Sequence, residues 1–571
     1  MRQNLLLISF FLLLGFGLSA QWENGILLSG KICTMNDSLE VIEQGRLLIK
    51  PDGTILLLTS GQNLPDDCAE AIQIETGGVI YPGLIDMHNH PAYNVFPIWP
   101  VPKQYTSRYQ WPSHSSYKEL VRGRYNYLYR EKKQKTNMGI YAEVKSMAGG
   151  TTAIQGLPAN RIYGKYMVRN IEQKNFGQDR IGANVMKMSR SSSNFERTKE
   201  NLDGKLDGWF YHLAEGSDPG LMDELYDLCE FGFNLEPIIA IHCCALDSAA
   251  CALLDSVNMK MVWSPLSNLL LYGQTARVDI AKRAGIMIGL GSDWSLSGSK
   301  NILWELKVAA LWNKTQLGNL FTPKELVHMV TLDAARILKW DDKVGSIQNG
   351  MIADLVVTAD KVNDPYENLI LCTEEDINLV LVGGEPFYGN KQWMKQLKRI
   401  GRKYDFDVID KKFPGDKGID ITRPGLQDME YEDMYGILET EMLSDSFPVA
   451  PVEPDPIYTS LDPEFFRLIW AVPHNPLDVS KLAAFVHPLA RANEETALRE
   501  RPRSPIITKL SVGQEVIIVK EASGRRRNWH EVLMKDEKGT VYHGVVRKDD
   551  LDIVMTPEQF GEWLFGIWNE E

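Results

Sequence analysis

Apolar residues in this chain come in short runs, and several of the runs stop at a side chain able to hold a metal or move a proton. Val79 to Met87 ends in His88-Asn89-His90, Trp209 to Leu213 carries His212 with Glu215 just beyond, and Ile238 to Ile241 stops at His242. Lys260 to Ser264 leads into Ser264-Pro-Leu-Ser-Asn268, and Gly285 to Gly291 leads into Ser292-Asp293. In a strand alternate side chains share a face, so His88 and His90 emerge side by side where the apolar run ends. Further runs at Thr151 to Gln155, Tyr166 to Glu172 and Arg180 to Met188 bring the count of core strands to eight. Between the later runs, Leu221 to Cys229, Ser248 to Leu254, Val278 to Ala284 and Ile302 to Trp312 space their apolar residues as helices do. Thr322-Pro-Lys-Glu325 opens another helix with a capping box and a proline at its first position. Strands and helices in alternation predict an α/β fold with parallel strands, and a closed barrel of such strands would gather the polar residues on the rim at their carboxyl ends.

Outside this core the pattern changes. Short strands are expected at Ile26 to Leu28, Arg46 to Lys50 and Ile55 to Leu58, and a second set at 345–350, 353–357 and 379–383. Residues 91–129 form an insertion directly after His90, too long for a barrel connection and dense in Tyr93, Phe96, Trp99, Tyr105, Tyr109, Trp111 and Tyr117. It is read either as a cover over substrate or as packing that shields the barrel top. Residues 396–505 read as a charged, Pro-rich connecting region, with Pro448, Pro451, Pro454 and Pro456 stiffening it. After it, Glu515 to Lys520, Trp529 to Met534 and Gly539 to Gly544 alternate as short strands.

The ordered set Pro82 to His90, Gly149-Gly-Thr-Thr152, His212-Leu-Ala-Glu215, His242, Ser264 to Asn268 and Gly291-Ser-Asp293 resembles the amidohydrolase superfamily, in its cytosine deaminase, chlorohydrolase and adenosylhomocysteine deaminase-like branch. The resemblance covers roughly the first 390 residues. It implies a TIM-type (β/α)8 barrel over 79–344, bracketed by a small composite β-sandwich built from 21–78 and 345–395. It also implies that His88, His90, His212 and Asp293 hold one divalent metal, zinc or ferrous iron. His242 then polarises the substrate or the attacking water, Glu215 shuttles protons and Asp293 takes up the water's proton. Nitrogen and oxygen donors of this kind suit those metals. The implied reaction is hydrolysis of a non-peptide carbon–nitrogen bond in a small molecule by metal-activated water: deamination, or opening of a cyclic amide or amidine. Dechlorination is an alternative within the enzyme class. An exported protein that binds a surface polymer and keeps its metal for structure is the alternative outside it, and an intact Glu215 favours the enzyme. Binuclear relatives carry a bridging carboxylated lysine, and Lys187 lies near that position, although its surroundings match the mononuclear branch. Residues 506–571 resemble a bacterial SH3-like small β-barrel through Gly513-Gln-Glu-Val and Trp529.

Length and charge add limits. The chain has 571 residues, more than one core usually supports, and a formal charge of −14 that argues against a nucleic-acid partner and leaves a small-molecule substrate as the expectation. Residues 1–20 read as a signal peptide, with Arg2 ahead of the apolar run Leu5 to Leu14. Export to the periplasm or the medium is therefore expected, with no stable membrane insertion once that segment is removed. Seven cysteines, Cys33, Cys68, Cys229, Cys243, Cys244, Cys251 and Cys372, form no Cys-x-x-Cys pattern and read mainly as small core residues.

Overall fold

The structure is a computed structural model. It describes residues 25–397 apart from 39, 61–70, 100, 158–165 and 178, then 416–421, 429–443 and 449–450, and the backbone of strands between 489 and 555. Residues 1–24, which include the whole of the signal peptide expected over 1–20, lie outside the described residues.

Eight strands share one mixed sheet that draws on both flanks of the chain. They are β1 (Ile26–Cys33), β2 (Val41–Ile49), β3 (Ile55–Thr59), β4 (Ile72–Pro82), β13 (Leu355–Thr358), β14 (Ile377–Val382), β15 (Glu385–Asn390) and β16 (Lys417–Ile419). Their spatial order is β16-β15-β14-β13-β4-β1-β2-β3, so β4 joins the two flanks, antiparallel to β13 and parallel to β1. Leu28, Ile32, Leu47, Ile74, Ile80, Leu355, Val357, Leu379 and Leu381 form an apolar cluster separate from that of the barrel.

The barrel strands are β5 (Leu84–Asp86), β6 (Thr151–Ile154), β7 (Arg169–Asn170), β8 (Ile181–Asn184), β9 (Gly208–Leu213), β10 (Ile238–His242), β11 (Lys260–Trp263) and β12 (Ile288–Leu290). Two parallel arcs, β5-β6-β7 and β12-β11-β10-β9-β8, make up the ring. It closes between β12 and β5, where the Met87 amide donates to Leu290 O at 3.0 Å and the Asp293 amide to His88 O at 2.8 Å. Glycine is required there: a Cβ on Gly291 would lie 2.5 Å from His88 Cβ. Among the described residues no ladder joins β7 to β8. Ile85, Ala153, Ile171, Ile181, Phe210, Ile239 and Val262 fill the interior as one cluster, together with Ala334, Ile337 and Trp340. Phe210 lies two residues before His212 on the same strand face, which puts this apolar plug beneath the histidine.

Three sequence expectations are corrected here. Val79 to Met87 is not one strand, because Pro82 ends β4 and the Gly83 amide donates to Asp354 O at 2.8 Å, carrying the chain from the outer sheet into the barrel. The third and fourth strands are shorter than Tyr166 to Glu172 and Arg180 to Met188, since local polar groups take up the flanking backbone. Asp179, for instance, accepts from the amides of Asn175 and Phe176. Residues 396–505 are not merely a connection: they hold β16, the helix Tyr431–Leu443, and two strands of a C-terminal sheet. Tyr431, Met434, Leu438 and Met442 of that helix are buried in the barrel's outer core, and the Ala450 amide donates to Val95 O at 2.9 Å.

The C-terminal sheet is antiparallel and seven-stranded, formed by Leu489–Ala492, Thr496–Arg499, Ile506–Leu510, Glu515–Glu521, Trp529–Lys535, Val541–Arg547 and Leu551–Met555. It begins ahead of Ile506, where the sequence boundary falls. No helix among the described residues is long and apolar enough to cross a membrane.

The packing of 416–421, 429–443 and 449–450 sets an expectation for truncation. A chain ending near Lys403 keeps every candidate ligand but exposes the edge of β15 and the apolar face under helix Tyr431–Leu443. It should melt at a lower temperature than a chain ending just after Ala450. Equal melting temperatures would contradict this reading.

Candidate active site

Every candidate residue lies at or just past the carboxyl end of a barrel strand. His88 and His90 follow β5, His212 is the penultimate residue of β9, Glu215 follows it, His242 ends β10 and Asp293 follows β12. The chain is strained where it delivers them: Ala214, His242, Cys243 and Asp293 adopt left-handed backbone with φ of 50°, 72°, 54° and 61°. Each such residue costs on the order of 1–3 kcal/mol, and strain of this kind gathers at functional sites.

The structure brings all six side chains together. Asp293 Oδ1 lies 3.3 Å from His88 Nε2 and 3.6 Å from His90 Nε2, and the His88 and His212 rings are 4.7 Å apart. His242 Nε2 is 3.6 Å from Glu215 Oε2. All except His90, whose side chain is 28% exposed, are buried. Donor atoms within 4.8 Å of one another occur in three overlapping groups: His88 with His90 and His212, His88 with His242 and Asp293, and His212 with Glu215 and His242. Three buried ring nitrogens, His88 Nε2, His212 Nδ1 and His242 Nε2, have no hydrogen-bond partner. Unpartnered nitrogens on His88 and His212 beside a carboxylate fit a divalent metal, and this is a histidine-rich metal-binding group.

Neighbouring hydrogen bonds fix which ring nitrogen is free. The Gln155 amide nitrogen donates to Glu172, so its Oε1 faces His88 Nδ1 at 3.1 Å. His88 therefore carries its proton on Nδ1 and leaves the Nε2 lone pair open to a metal. His242 has the opposite arrangement. Trp263 Nε1 donates to Thr275 Oγ1 at 2.7 Å, Thr275 donates to Asn268 Oδ1 at 3.3 Å, and Asn268 Nδ2 then donates to His242 Nδ1 at 3.0 Å. The His242 proton is thus on Nε2, facing Glu215, which makes the ring a donor rather than a ligand. Ser267 donates to Asp293 Oδ2 and leaves Oδ1 toward His88 and His90.

Burial governs the charges. It pushes Glu215 up to about 7, opposed by the Arg108 guanidinium and the Tyr272 hydroxyl. It also holds His212 and His242 well below the ordinary imidazole range, while His90, only partly buried, is lowered to about 4 by desolvation in the cleft and by the neighbouring His88. Asp293 stays below the usual carboxylate range: burial alone would raise it, and the imidazoles of His88, His242 and His90 close by outweigh that.

Gln155, Ser267, Asn268, Thr275 and Tyr272 support the site in ways the sequence reading did not assign. Gln155 carried a visible signal, since it is the first polar residue past the apolar strand β6. Lys187 is placed away from the metal group: it pairs with Asp227 at 3.0 Å and is 43% exposed, so it takes no part in this cluster. Cys243 and Cys244 are buried beside His242 as free thiols, Cys33, Cys251 and Cys372 are buried elsewhere, and Cys229 is exposed. Cys68 lies outside the described residues. The insertion folds onto the barrel, with Phe96, Trp99, Tyr105 and Tyr117 buried and Tyr93, Trp111 and Tyr117 packed around Trp294, next to Asp293.

Behind the site, Glu305 accepts from the Leu266 amide and the Ser299 hydroxyl, and burial pushes its carboxyl up to about 8 from an ordinary 4.5. The folded chain then binds more protons than the unfolded chain between those two values, so this residue makes stability fall as pH rises through that window. Glu305→Gln should raise the melting temperature relative to the parent by more at pH 8 than at pH 5. An increment independent of pH would contradict it.

Eight parallel strands with this histidine-rich metal-binding group on their carboxyl rim define a TIM-barrel-type metal-site protein. Residues 216–386 match the Amidohydrolase family model, a segment that contains His242, Asn268 and Asp293 but not His88, His90, His212 or Glu215. An S-triazine hydrolase of Gordonia rubripertincta is 28% identical over 174 residues, 29% of this chain and 36% of that protein. A 5-methylthioadenosine/S-adenosylhomocysteine deaminase of Acetivibrio thermocellus is 28% identical over 198 residues, 32% of this chain and 45% of that protein. These matches thus span less than half the length of either relative. An adenosine deaminase of Xanthomonas campestris, solved with bound zinc, shares the fold with a TM-score of 0.51 at 17% identity, covering 67% of this chain and 95% of that one. Family model and relatives bear out the resemblance to the amidohydrolase superfamily, in its deaminase and triazine-hydrolase branch.

Proposed function

We propose that this chain is a metal-dependent hydrolase that cleaves a carbon–nitrogen bond of a small nitrogen heterocycle, by deamination or by opening of a cyclic amide or amidine. The observation that carries this reading is the cluster around His88, which groups with His90 and His212 on one side and lies 3.3 Å from Asp293 on the other, beside a buried Glu215 and a donor-oriented His242. His88, His90, His212 and Asp293 would hold one divalent ion, zinc or ferrous iron, which when bound would make water acidic near neutral pH. Asp293 accepts the proton of the attacking water. Glu215, poised near neutrality, hands a proton to the departing nitrogen, which leaves poorly unless protonated. His242 donates from Nε2 to the substrate where negative charge develops, and the apolar plug beneath His212 keeps water from entering below.

The deaminases and the triazine hydrolase among the relatives point to a nitrogen-containing aromatic ring as substrate. Dechlorination is the second reading, since the name of the S-triazine hydrolase among the relatives leaves open which substituent leaves the ring. A screen of zinc-loaded protein against 5-methylthioadenosine, S-adenosylhomocysteine and chlorinated triazines, with ammonia, chloride and ring opening measured separately, decides among these. Ammonia release is the expected result. Chloride release alone would favour the second reading, and zinc-loaded protein without turnover of any kind would favour a polymer-binding protein with a structural metal.

In this reading the outer sheet is part of a composite sandwich built from both flanks of the chain, around a barrel that begins past Gly83 rather than at Val79, and the sheet within 489–555 belongs to an SH3-like small barrel. Residues 1–20 direct the chain out of the cytoplasm, so the reaction runs in the periplasm or outside the cell.

A further inference from the structure

The helix Pro265–Tyr272 makes a hydrogen bond to each of the three proton-handling groups: Ser267 to Asp293, Asn268 to His242 and Tyr272 to Glu215. The third of these bonds involves a part of the molecule that lies outside the barrel's own strands and helices. Tyr272 donates its hydroxyl proton to Glu215 Oε1 at 2.5 Å, and Trp111 Nε1, from the insertion, donates to the Tyr272 oxygen at 3.0 Å. An indole N–H can only donate, so it occupies a lone pair of the tyrosine oxygen and the tyrosine's one proton goes to the carboxylate. Glu215 Oε1 is thereby taken, and Oε2 is the atom left facing His242 Nε2 at 3.6 Å.

The insertion is tied to the same two segments by its backbone. The Tyr105 amide donates to Leu271 O at 2.7 Å, beside Tyr272, and the Arg108 amide to Glu215 O at 3.1 Å. Thr106 O accepts from the amides of Ser217 and Asp218 at 2.9 and 3.0 Å. These bonds hold Trp111 and the Glu215 loop in one rigid piece.

We propose that Tyr272 and Trp111 are positioning residues for Glu215. They pin Oε1 so that the transferable proton is carried on Oε2, toward the reacting atoms, and the insertion therefore completes the shuttle as well as covering the barrel. The inference rests on the role given to Glu215 above.

The test uses the full-length, zinc-loaded chain with 5-methylthioadenosine as probe, ammonia as readout, and Tyr272→Phe, Trp111→Phe, Glu215→Gln and the Tyr272→Phe/Glu215→Gln double variant. A hydrogen bond to a charged group contributes about 1.5–3 kcal/mol, or roughly ten- to a hundredfold. Tyr272→Phe should lower kcat within that range with KM and zinc content unchanged, and Trp111→Phe should lower it less. On the Glu215→Gln background the tyrosine change should have less than about a twofold further effect, since the two groups act as one unit. A loss from Tyr272→Phe that is fully additive with Glu215→Gln, or a Tyr272→Phe rate within about twofold of the parent, would overturn the proposal. A parent-like rate for Glu215→Gln itself would instead overturn the function assigned to that residue. Crystal structures of the parent and Tyr272→Phe decide the geometry whether or not the probe is turned over. The Glu215 carboxylate should rotate away from His242 in the variant, and an unmoved carboxylate would contradict the positioning role.

Discussion

His88→Ala should yield a folded chain that has lost its metal and turns over no faster than metal-stripped parent. His88 is fully buried, its Nδ1 is committed to Gln155, and its Nε2 is an unpartnered nitrogen 3.3 Å from Asp293 Oδ1. Removing the ring takes one donor from a group of four and leaves Asp293 facing one imidazole fewer. A ligand that binds only the folded state stabilises it, by about 2.7 kcal/mol at a hundred times its dissociation constant. Added zinc should therefore raise the melting temperature of the parent and not of the variant. A His88→Ala chain that keeps a full equivalent of metal would show that the ion sits elsewhere.

Glu215→Gln should do the reverse, keeping full metal occupancy while turnover falls by about 10² to 10⁴-fold, the usual contribution of a general acid–base group. Glutamine preserves the size of the side chain and still accepts from Tyr272 through its amide oxygen, but it carries no transferable proton. The loss corresponds to on the order of 3 to 5 kcal/mol of barrier. It is measured as metal content and rate on one purified sample, which separates it from the His88→Ala effect. A variant within about threefold of the parent would leave the proton path to Asp293 alone.

The candidate ligands were legible because each is a polar residue where an apolar strand stops, and a barrel gathers such positions on one rim. The pattern marks His88, His90, His212, Glu215, His242 and Asp293 alike, and it is the family resemblance that names His88, His90, His212 and Asp293 as the ligands among them. The supporting bonds could not be read this way. Tyr272 ends a helix whose residues are all buried and reads as core, and its partner Trp111 is more than a hundred positions earlier in the chain. The split at Gly83 was hidden by an apolar run that continues across it, since period and hydrophobicity look the same on either side of a change of sheet. Helix Tyr431–Leu443 did carry its pattern, with Tyr431, Met434, Leu438 and Met442 on one face, but Glu430, Glu432 and Asp433 made the stretch read as solvated charge. The tautomers of His88 and His242 follow only from their neighbours, Gln155 and Asn268, and so became readable only with the fold.

Titration of metal-stripped parent with zinc, following both bound metal and ammonia release, tests the central claim most directly. One ion at His88, His90, His212 and Asp293 predicts a rate that rises in proportion to added zinc and breaks at one equivalent per chain. A rate indifferent to metal, or a break at two equivalents, would contradict it.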